Sequence, residues 1–441
     1  MTTKATSAGA RLYARARHII PGGTQLLSKR PEMFLPDQWP NYYSRAQGAY
    51  VWDLDGARYL DMTHFGVGAC VLGFADPDVN ASVQAAVSSG SMSTLNCPEE
   101  VELAELMLEL HPWAEMARFG RSGGEAVAIA VRIARAASGR DKVAFCGYHG
   151  WHDWYLAANL SEDQALDGHL LPGLQPRGVP RGLAGTMLPF HYNNIGEFRG
   201  LIERHGRELA AIVMEPARNE GPAAGFLEEI RETASRIGAA LIFDEVTSAW
   251  RVNTGGIHLV YGIQPDVAVF AKAMGNGFPM AAVIGTRPVM EAAQASFISS
   301  TYWTERVGPA AALATIRKHR EQHVADHLIA AGARIQDGWS NAAKDAGLAV
   351  HVGGIKPLSH FTFDGPRSAE MLTLFIQSML DRSILASGQV YTSLAHTESH
   401  VQRYLDETAA VFREIASAVA DGTLAQRLRG PVKHAGFHRL N

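Results

Sequence analysis

Residues 241–246, LIFDEV, form a run of three apolar residues that ends in two adjacent carboxylates, Asp244 and Glu245. A short apolar run of this kind is typical of a buried strand in a parallel sheet. Downstream, residues 270–279, FAKAMGNGFP, place Lys272 in a glycine-rich segment after another apolar run. An amine and a carboxylate, each at the end of a buried strand, are therefore the first candidates for chemistry.

Four apolar segments predict strands, at 142–146, 210–214, 239–243 and 267–270. Helical segments such as 225–237 separate them, and this alternation suits right-handed crossover units in a mostly parallel sheet. The sequence therefore predicts an α/β fold whose binding residues lie at the carboxyl ends of the strands.

Residues on both sides of this region predict a second, smaller lobe. We expect a docked helix near the N terminus, and residues 49–61 predict a hairpin around an Asp-Gly turn. From about residue 325 the pattern predicts a long helix, a sheet-like region at 347–362 and closing helices at 368–385 and 400–419.

The length of the chain suits more than one domain. Its 441 residues, 47% of them hydrophobic, are enough to bury more than one core. The expected domains are residues 1–75, an N-terminal helix and hairpin segment that packs with the small domain; 76–325, the large domain; and 326–441, the C-terminal small domain.

Charge and cysteine content disfavour several classes of protein. The formal net charge of −4 gives no reason to expect nucleic acid or an anionic membrane as a partner. Three cysteines are too few and too widely spaced for a disulfide framework, so we expect a reducing, cytoplasmic setting. No apolar stretch approaches the roughly 20 residues that a membrane span requires.

Residues 118–126, RFGRSGGEA, lead into an amphipathic helix and outline a phosphate site. Gly123 and Gly124 let the backbone turn its N–H groups toward an anion, the helix dipole adds to the attraction, and Ser122 has a hydroxyl to donate. For this motif alone, a plain turn and helix cap is the alternative.

Tyr148 lies between two glycines just after a predicted strand, where its ring would stack on a planar cofactor. His149 and His152 belong to the same segment, but they lack the neighbouring cysteine or glutamate of a metal site. We therefore expect no metal.

Lys272 and Asp244 together suit a pyridoxal phosphate site. The lysine would hold the aldehyde as a Schiff base and then act as the base, whereas the carboxylate would keep the pyridine nitrogen protonated. Taken singly, an aspartate at a strand end is often a helix cap and a lysine there is often solvated. No G-x-G-x-x-G after a strand and no G-x-x-x-x-G-K-[ST] occurs, which disfavours dinucleotide oxidoreductases and nucleotide hydrolases.

The ordered set of motifs resembles the class III aminotransferases, and within them the glutamate-1-semialdehyde aminomutase branch. The motifs are Pro21-Gly22-Gly23, the hairpin, Ser122-Gly123-Gly124, Tyr148-His149-Gly150, Asp244-Glu245-Val246 and Lys272. The resemblance extends from about residue 12 to 397. It implies fold-type I, with a mostly parallel seven-stranded sheet in the large domain beside a smaller α+β domain, and pyridoxal 5'-phosphate as cofactor.

The same resemblance implies roles for individual residues. Lys272 would be the Schiff-base lysine, and Asp244 would pair with the pyridinium nitrogen. The other implied cofactor contacts are Ser122, Gly123 and Gly124 at the phosphate and Val246 and Tyr148 on the two faces of the ring. Thr301 aligns with a threonine that reaches this phosphate from a neighbouring subunit, which implies a homodimer with shared active sites.

Three positions depart from the aminomutase pattern. Gly124 stands where the pattern has a threonine, so one hydroxyl donor to the phosphate is missing. The arginine that grips the substrate carboxylate aligns with Lys29, beside Arg30, and a lysine cannot reproduce a bidentate contact. The glutamate that precedes an Ala-His-Thr motif aligns with Gly388. An aminomutase must grip its substrate tightly, so we expect transfer between two molecules instead.

The expected reaction moves an amino group from an amino acid, by default L-glutamate, to an aldehyde or keto acceptor such as a sugar acid. Arg218, Glu220 and Trp303 join Lys29 and Arg30 as candidate substrate contacts. Residues 167–181 would form a Gly/Pro-rich lid. Intramolecular amino transfer, as in glutamate-1-semialdehyde 2,1-aminomutase, and a non-catalytic pyridoxal-binding module are the alternatives. The presence of a proton-transfer lysine disfavours the second.

Overall fold

The computed structural model describes residues 7–162, 164–169, 172–217 and 219–436. The chain divides into two compact units. The larger unit is Pro77–Asp326, and the smaller unit contains the residues up to Asp76 together with those from His327 onward.

Strands and helices are numbered along the chain. The strands are β1 Tyr43–Gln47, β2 Tyr50–Asp53, β3 Arg58–Met62, β4 Met116–Gly120, β5 Lys142–Cys146, β6 Met187–Pro189, β7 Leu209–Met214, β8 Ala240–Asp244, β9 Val267–Phe270, β10 Ala281–Gly285, β11 Val350–Gly353, β12 Leu358–Phe363, β13 Ile384–Ala386 and β14 Gln389–Tyr391. The helices are α1 Ala8–Ile19, α2 Pro77–Ser88, α3 Pro98–Leu110, α4 Gly123–Ser138, α5 Asp153–Leu156, α6 Ala158–Ser161, α7 Ile195–His205, α8 Phe226–Ile237, α9 His258–Tyr261, α10 Arg287–Met290, α11 Val307–Glu321, α12 Val324–Ala346, α13 Ser368–Asp381, α14 Glu398–Ala420 and α15 Leu424–Arg427.

The larger unit holds a seven-stranded sheet in the order β4-β10-β9-β8-β7-β5-β6. β10 is antiparallel to both of its neighbours, and the remaining pairs are parallel. β4 therefore runs in the same direction as β9, and the carboxyl ends of six strands share one edge. The mostly parallel sheet expected from the sequence is confirmed, and the four predicted strands are β5, β7, β8 and β9.

Both faces of this sheet are covered, as parallel sheets require. In β8, Leu241 and Phe243 pack into one buried cluster and Ile242 packs into the other, with the apolar face of α4. Alternation along the strand then places Asp244 on the Ile242 side and Glu245 on the Phe243 side.

The smaller unit contains two sheets, β1-β2-β3-β13 and β11-β12-β14. The predicted hairpin is β2 and β3, which are antiparallel, and its turn is held by Asp53, whose carboxylate accepts hydrogen bonds from the backbone of Asp55 and Ala57. The helix expected at 368–385 is wrong at its end: α13 stops at Asp381, and β13 pairs with β3 in parallel. Pairing with a strand more than 300 residues away is not visible in a local pattern.

A buried polar cluster surrounds Glu245, the residue directly after β8. Glu245 Oε1 accepts hydrogen bonds from Nδ1 and the backbone N–H of His258, at 2.7 and 2.9 Å. Trp113 donates to His258 Nε2 at 3.0 Å, so the ring proton lies on Nδ1. Burial by itself raises the pKa of Glu245, but the hydrogen bonds of His258 and Ser248 overcome it and hold this pKa below its ordinary value.

Within the described ranges, none of the helices combines the length and the apolar character needed to cross a lipid bilayer.

The chain offers a matched pair of glycines inside helices. At Gly332, in α12, a Cβ atom would lie 1.8 Å from the carbonyl oxygen of Lys356, so Gly332→Ala forces the backbone apart and should destabilise by about 1–3 kcal/mol or more. At Gly200, in α7, the nearest such atom is 3.6 Å away, on the flexible side chain of Arg204. Gly200→Ala should stabilise by about 0.5–1 kcal/mol. Urea unfolding measures both, and equal effects would refute the packing assignment.

His258→Ala should leave Glu245 buried without its main partner, at a cost of about 3–5 kcal/mol near neutral pH. In the native protein the lowered pKa of Glu245 contributes stability above the unfolded value of 4.5, which is lost as pH falls through the folded value. In the variant, burial raises the pKa of Glu245, so this carboxylate takes up a proton as pH falls. The difference in unfolding free energy between the variant and the native protein should therefore shrink toward acid. Urea unfolding at pH 7 and pH 5 tests this, with His205→Ala, at a surface pair with Glu208, as control. A pH-independent loss would contradict the account.

Candidate active site

The shared edge of the large sheet collects most of the residues singled out above. Asp244 ends β8, Lys272 follows β9, Tyr148 follows β5, and Ser122 follows β4. Glu215 comes directly after β7 and was not among the predicted site residues. Five separate strand ends therefore supply the site.

Asp244 is buried and paired with His149. Nδ1 of His149 lies 2.7 Å from Asp244 Oδ2, and Nε2 lies 3.1 Å from the carbonyl oxygen of Cys146. The carbonyl can only accept, so Nε2 carries a proton, and the contact at 2.7 Å requires one more proton between Nδ1 and Oδ2. The other oxygen, Oδ1, accepts the backbone N–H of Val246 at 3.0 Å. His149 was considered above only as a metal ligand, and it is instead the partner of the carboxylate.

Lys272 is half-buried and adopts a backbone conformation that is rare for residues other than glycine. Its φ is 47°, in the left-handed region, and such a residue persists only where its surroundings hold it. Nζ donates to the hydroxyl of Thr247 at 2.8 Å. Thr247 is three residues beyond Asp244, so this contact ties the amine to the segment that carries the carboxylate.

The start of α4 is built around glycines. A Cβ atom at Gly123 would lie 2.8 Å from Cγ1 of Val246, and one at Gly124 would lie 3.1 Å from the ring of His152. Ser122 caps the helix, and both its backbone N–H and its hydroxyl donate to Glu125 at 3.0 Å. A helix N-terminus closely packed by Val246 and His152, with no side chains on its first two residues, suits an anion such as a phosphate, because its first N–H groups have no intrahelical partner.

Backbone contacts fix the loop that carries Tyr148. Its N–H donates to Glu215 Oε2 at 3.1 Å, and a Cβ atom at Gly147 would lie 2.7 Å from the same oxygen. The hydroxyl of Tyr155 donates to the carbonyl of Gly147 at 2.9 Å. The half-buried Tyr148 ring stands edge-on to that of Tyr155, with 6.0 Å between centroids.

Trp303 and Thr301 share one short 3₁₀ turn, Thr301–Thr304. Arg121 holds this turn beside the start of α4: it donates to the carbonyl of Trp303 at 3.0 Å and to Glu305 at 2.7 Å. Trp303 is half-buried, whereas Thr301 is exposed and lies at the surface of the larger unit.

Glu220 is exposed and lines a cavity of about 270 Å³ with Gly147, His169, His191 and Glu215. Nδ1 of His169 accepts the backbone N–H of Gly147 at 3.2 Å, and burial lowers the pKa of His169 to about 4, so its ring is neutral near pH 7. The cavity thus presents two carboxylates and two imidazoles.

The remaining predicted substrate contacts belong to the smaller unit or lie outside the described residues, and part of the expected lid, including His169, lines the cavity. Lys29 is exposed and Arg30 half-buried in the smaller unit. Arg218 lies outside the described residues, as do Leu170 and Leu171 of the expected lid. The buried Asn159 anchors that segment, since its side chain bonds the backbone of Leu166 and Leu174 at 2.9 and 2.6 Å. In the described ranges, no group of three or more His, Cys, Asp and Glu side chains is placed to hold a metal ion.

Comparison with known proteins places the chain in a family. Residues 36–356 match the family Aminotransferase class-III. The chain is 35% identical over 435 residues to a glutamate-1-semialdehyde 2,1-aminomutase of Roseiflexus castenholzii, covering 93% of this chain and 98% of the relative. It is 32% identical over 386 residues to a 2'-deamino-2'-hydroxyneamine transaminase of Streptomyces kanamyceticus, covering 86% and 93%.

A solved structure agrees with the sequence relatives. The FumI protein of a Sphingopyxis species, in its PLP internal aldimine form, superposes with a TM-score of 0.84 at 25% identity over 93% of this chain and 97% of that one. The chain therefore belongs to the class III aminotransferases, enzymes that depend on pyridoxal phosphate.

Proposed function

We propose that the enzyme moves an amino group between two separate small molecules, from an amino acid, by default L-glutamate, to a hydroxylated aldehyde or ketone such as a sugar acid. When bound, pyridoxal phosphate supplies an aldehyde that carries the amino group and a ring that withdraws electrons. Lys272 Nζ would hold the aldehyde carbon and, once displaced by substrate, carry the proton at the reacting carbon. Asp244 would accept a hydrogen bond from the ring nitrogen.

The remaining cofactor contacts follow from the geometry of the strand ends. Val246 packs on Gly123 at the start of α4, so a ring beside Val246 would direct its phosphate to this first turn. The N–H groups of Gly123 and Gly124 would donate to the phosphate, and the hydroxyl of Ser122 would turn from Glu125 to do the same. Tyr148 would cover the other face of the ring. The proton that His149 and Asp244 share would let the carboxylate keep a partner while it contacts the ring nitrogen.

The lack of space at Gly388 is the observation that favours transfer between two molecules over transfer within one molecule. A Cβ atom there would lie 2.9 Å from the carbonyl oxygen of Phe361. The backbone N–H of Phe361 donates to the carbonyl oxygen of Gly388 at 2.8 Å, which holds the two backbones together. A glutamate, which the aminomutase resemblance leads one to expect, has no room at this position unless the backbone moves. With Lys29 in place of the arginine, two contacts that would retain a reaction intermediate are missing.

The polar cavity supports a hydroxylated acceptor. Glu215 and Glu220 accept hydrogen bonds, and the neutral imidazole of His169, whose Nδ1 accepts the N–H of Gly147, has its Nε2–H left to donate. Hydroxyl groups suit such a lining because each one donates and accepts. The transaminase relative from Streptomyces is also named for a hydroxylated compound.

A homodimer with shared sites is part of the proposal. Thr301 is exposed on a turn fixed beside the phosphate-binding helix, and Phe297 and Tyr302 nearby in sequence are 87% and 70% exposed. Contact with a second copy of the chain would bury these two large exposed side chains. Thr301 would then reach the phosphate of the partner subunit.

Intramolecular amino transfer is the second candidate, because the relative from Roseiflexus, at 35% identity, is named an aminomutase. The two candidates differ in whether an oxoacid leaves the enzyme.

Lys272→Ala should retain cofactor through the phosphate contacts but lower turnover by roughly 10²–10⁴-fold or more, because the variant lacks the proton carrier. Absorbance of bound cofactor and steady-state rates measure the two effects. Lys142→Ala, at a surface pair with Glu208, is the matched control and should keep full rates. Normal turnover in the Lys272 variant would refute the assignment of Lys272 as the proton carrier.

The reaction itself is tested with L-glutamate and no acceptor. We expect the yellow colour to fade with one 2-oxoglutarate released per site, because the donor leaves its nitrogen on the enzyme. Glyceraldehyde should then restore the colour faster than propanal, which lacks the hydroxyl groups. No oxoacid from glutamate or other amino acids, with conversion of glutamate-1-semialdehyde to its positional isomer, would establish the aminomutase instead.

A further inference from the structure

His152 has a buried ring nitrogen that the site described above does not use. In the described part of the chain, its Nδ1 is enclosed and has no hydrogen-bond partner. Enclosed polar atoms are nearly always paired in native proteins, so an unpaired one at a binding site indicates a missing ligand group.

The position of this ring is set by close packing of two backbones. Gly150 has a φ of 104°, and a Cβ atom there would lie 3.0 Å from Cα of Gly124. The loop between β5 and α5 therefore rests on the first turn of α4. The ring of His152 stacks on that of Trp151, with centroids 4.5 Å apart.

This packing puts His152 where a side chain at position 124 would be. Both Nδ1 and Cε1 of the ring would lie 3.1 Å from a Cβ atom built on Gly124. The aminomutase pattern has a threonine at that position, whose hydroxyl is the donor that this chain lacks. The imidazole thus fills the space of the missing side chain and brings a ring nitrogen to it.

We propose that His152 donates a hydrogen bond from Nδ1 to the phosphate of the cofactor and so replaces the threonine hydroxyl absent at Gly124. The inference rests on the proposed phosphate site at Ser122, Gly123 and Gly124, but not on which amino-transfer reaction follows. A neutral imidazole can place its single proton on Nδ1, so the role does not require a charged ring.

The first test measures equilibrium binding by the apoenzyme. His152→Ala should weaken pyridoxal phosphate by roughly 10- to 100-fold, as expected for a lost hydrogen bond to a charged group. Pyridoxal, which has no phosphate, should bind both proteins equally. His152→Asn, whose amide nitrogen occupies nearly the place of Nδ1, should stay within about threefold of the native affinity. His205→Ala, a half-buried histidine outside the site, is the control.

The second test exchanges the two donors. Gly124→Thr alone should weaken the phosphate form of the cofactor, because the new side chain meets the imidazole ring. In Gly124→Thr combined with His152→Ala, the threonine has room and its hydroxyl should restore affinity to within about threefold of native. The ³¹P resonance of the bound cofactor should shift in His152→Ala and return in the double variant.

Three results would overturn the proposal: an unchanged affinity of His152→Ala for pyridoxal phosphate, an equal loss for pyridoxal, or a double variant in which the two losses add. An equal loss for both ligands would show that His152 acts on a part of the cofactor other than the phosphate, and Gly123→Ala then tests whether the phosphate lies at the start of α4. Gly123→Ala should reduce the preference for pyridoxal phosphate over pyridoxal if the phosphate lies there, and an unchanged preference would overturn the proposed phosphate site.

Discussion

The site depends on one constraint, the common direction of six strands in a sheet that is covered on both faces. Strands of this kind have no freedom to tilt or slide, because apolar clusters pack on each side of β8 and its neighbours. Their carboxyl ends consequently meet along one edge, where the chain turns out of the sheet and polar groups become accessible. Five segments that are remote in sequence supply an amine, two carboxylates, an aromatic ring and a helix N-terminus without a dedicated loop to assemble them.

The two carboxylates that end β8 show how burial dictates their partners. Asp244 and Glu245 point to opposite sides of the sheet, and each contacts a histidine at 2.7 Å. His258 receives a hydrogen bond from Trp113, which leaves its ring a single proton to give to Glu245. His149 faces acceptors at both nitrogens, so its pair with Asp244 holds one proton more than the pair of Glu245 and His258. Under the proposed function, the pair of His149 and Asp244 would suit contact with the protonated ring nitrogen of the cofactor. The pair of Glu245 and His258 is instead fully buried in the protein interior.

The sequence predicts features that depend on neighbouring residues and misses those that depend on distant ones. Four strands of the large sheet, β5, β7, β8 and β9, the start of α4 and the hairpin were predictable because apolar runs, glycines and an Asp-Gly turn are local signals. The roles of His149, Thr247 and Glu215 were not, since each bonds a residue that local spacing does not bring near. Ile384 and Leu385 of β13 were assigned to a helix for the same reason: they form a strand only because β3 lies beside them. From the sequence, Gly124 implied only that one hydroxyl donor to the phosphate is missing. The packing of His152 against it was needed to suggest which side chain replaces that donor.

The pairing of β3 with β13 has a consequence for how the chain folds. β3 is complete after residue 62, but its outer edge has no partner until residues 384–386 have been synthesised. Ribosomes add roughly 5–20 residues per second, so the hairpin spends about 15–65 seconds with an unpaired strand edge, a template for non-native pairing. The larger unit is continuous in sequence and can fold during this interval. The smaller unit can close only afterward, which makes the joining of its two halves the late and aggregation-sensitive step of biogenesis.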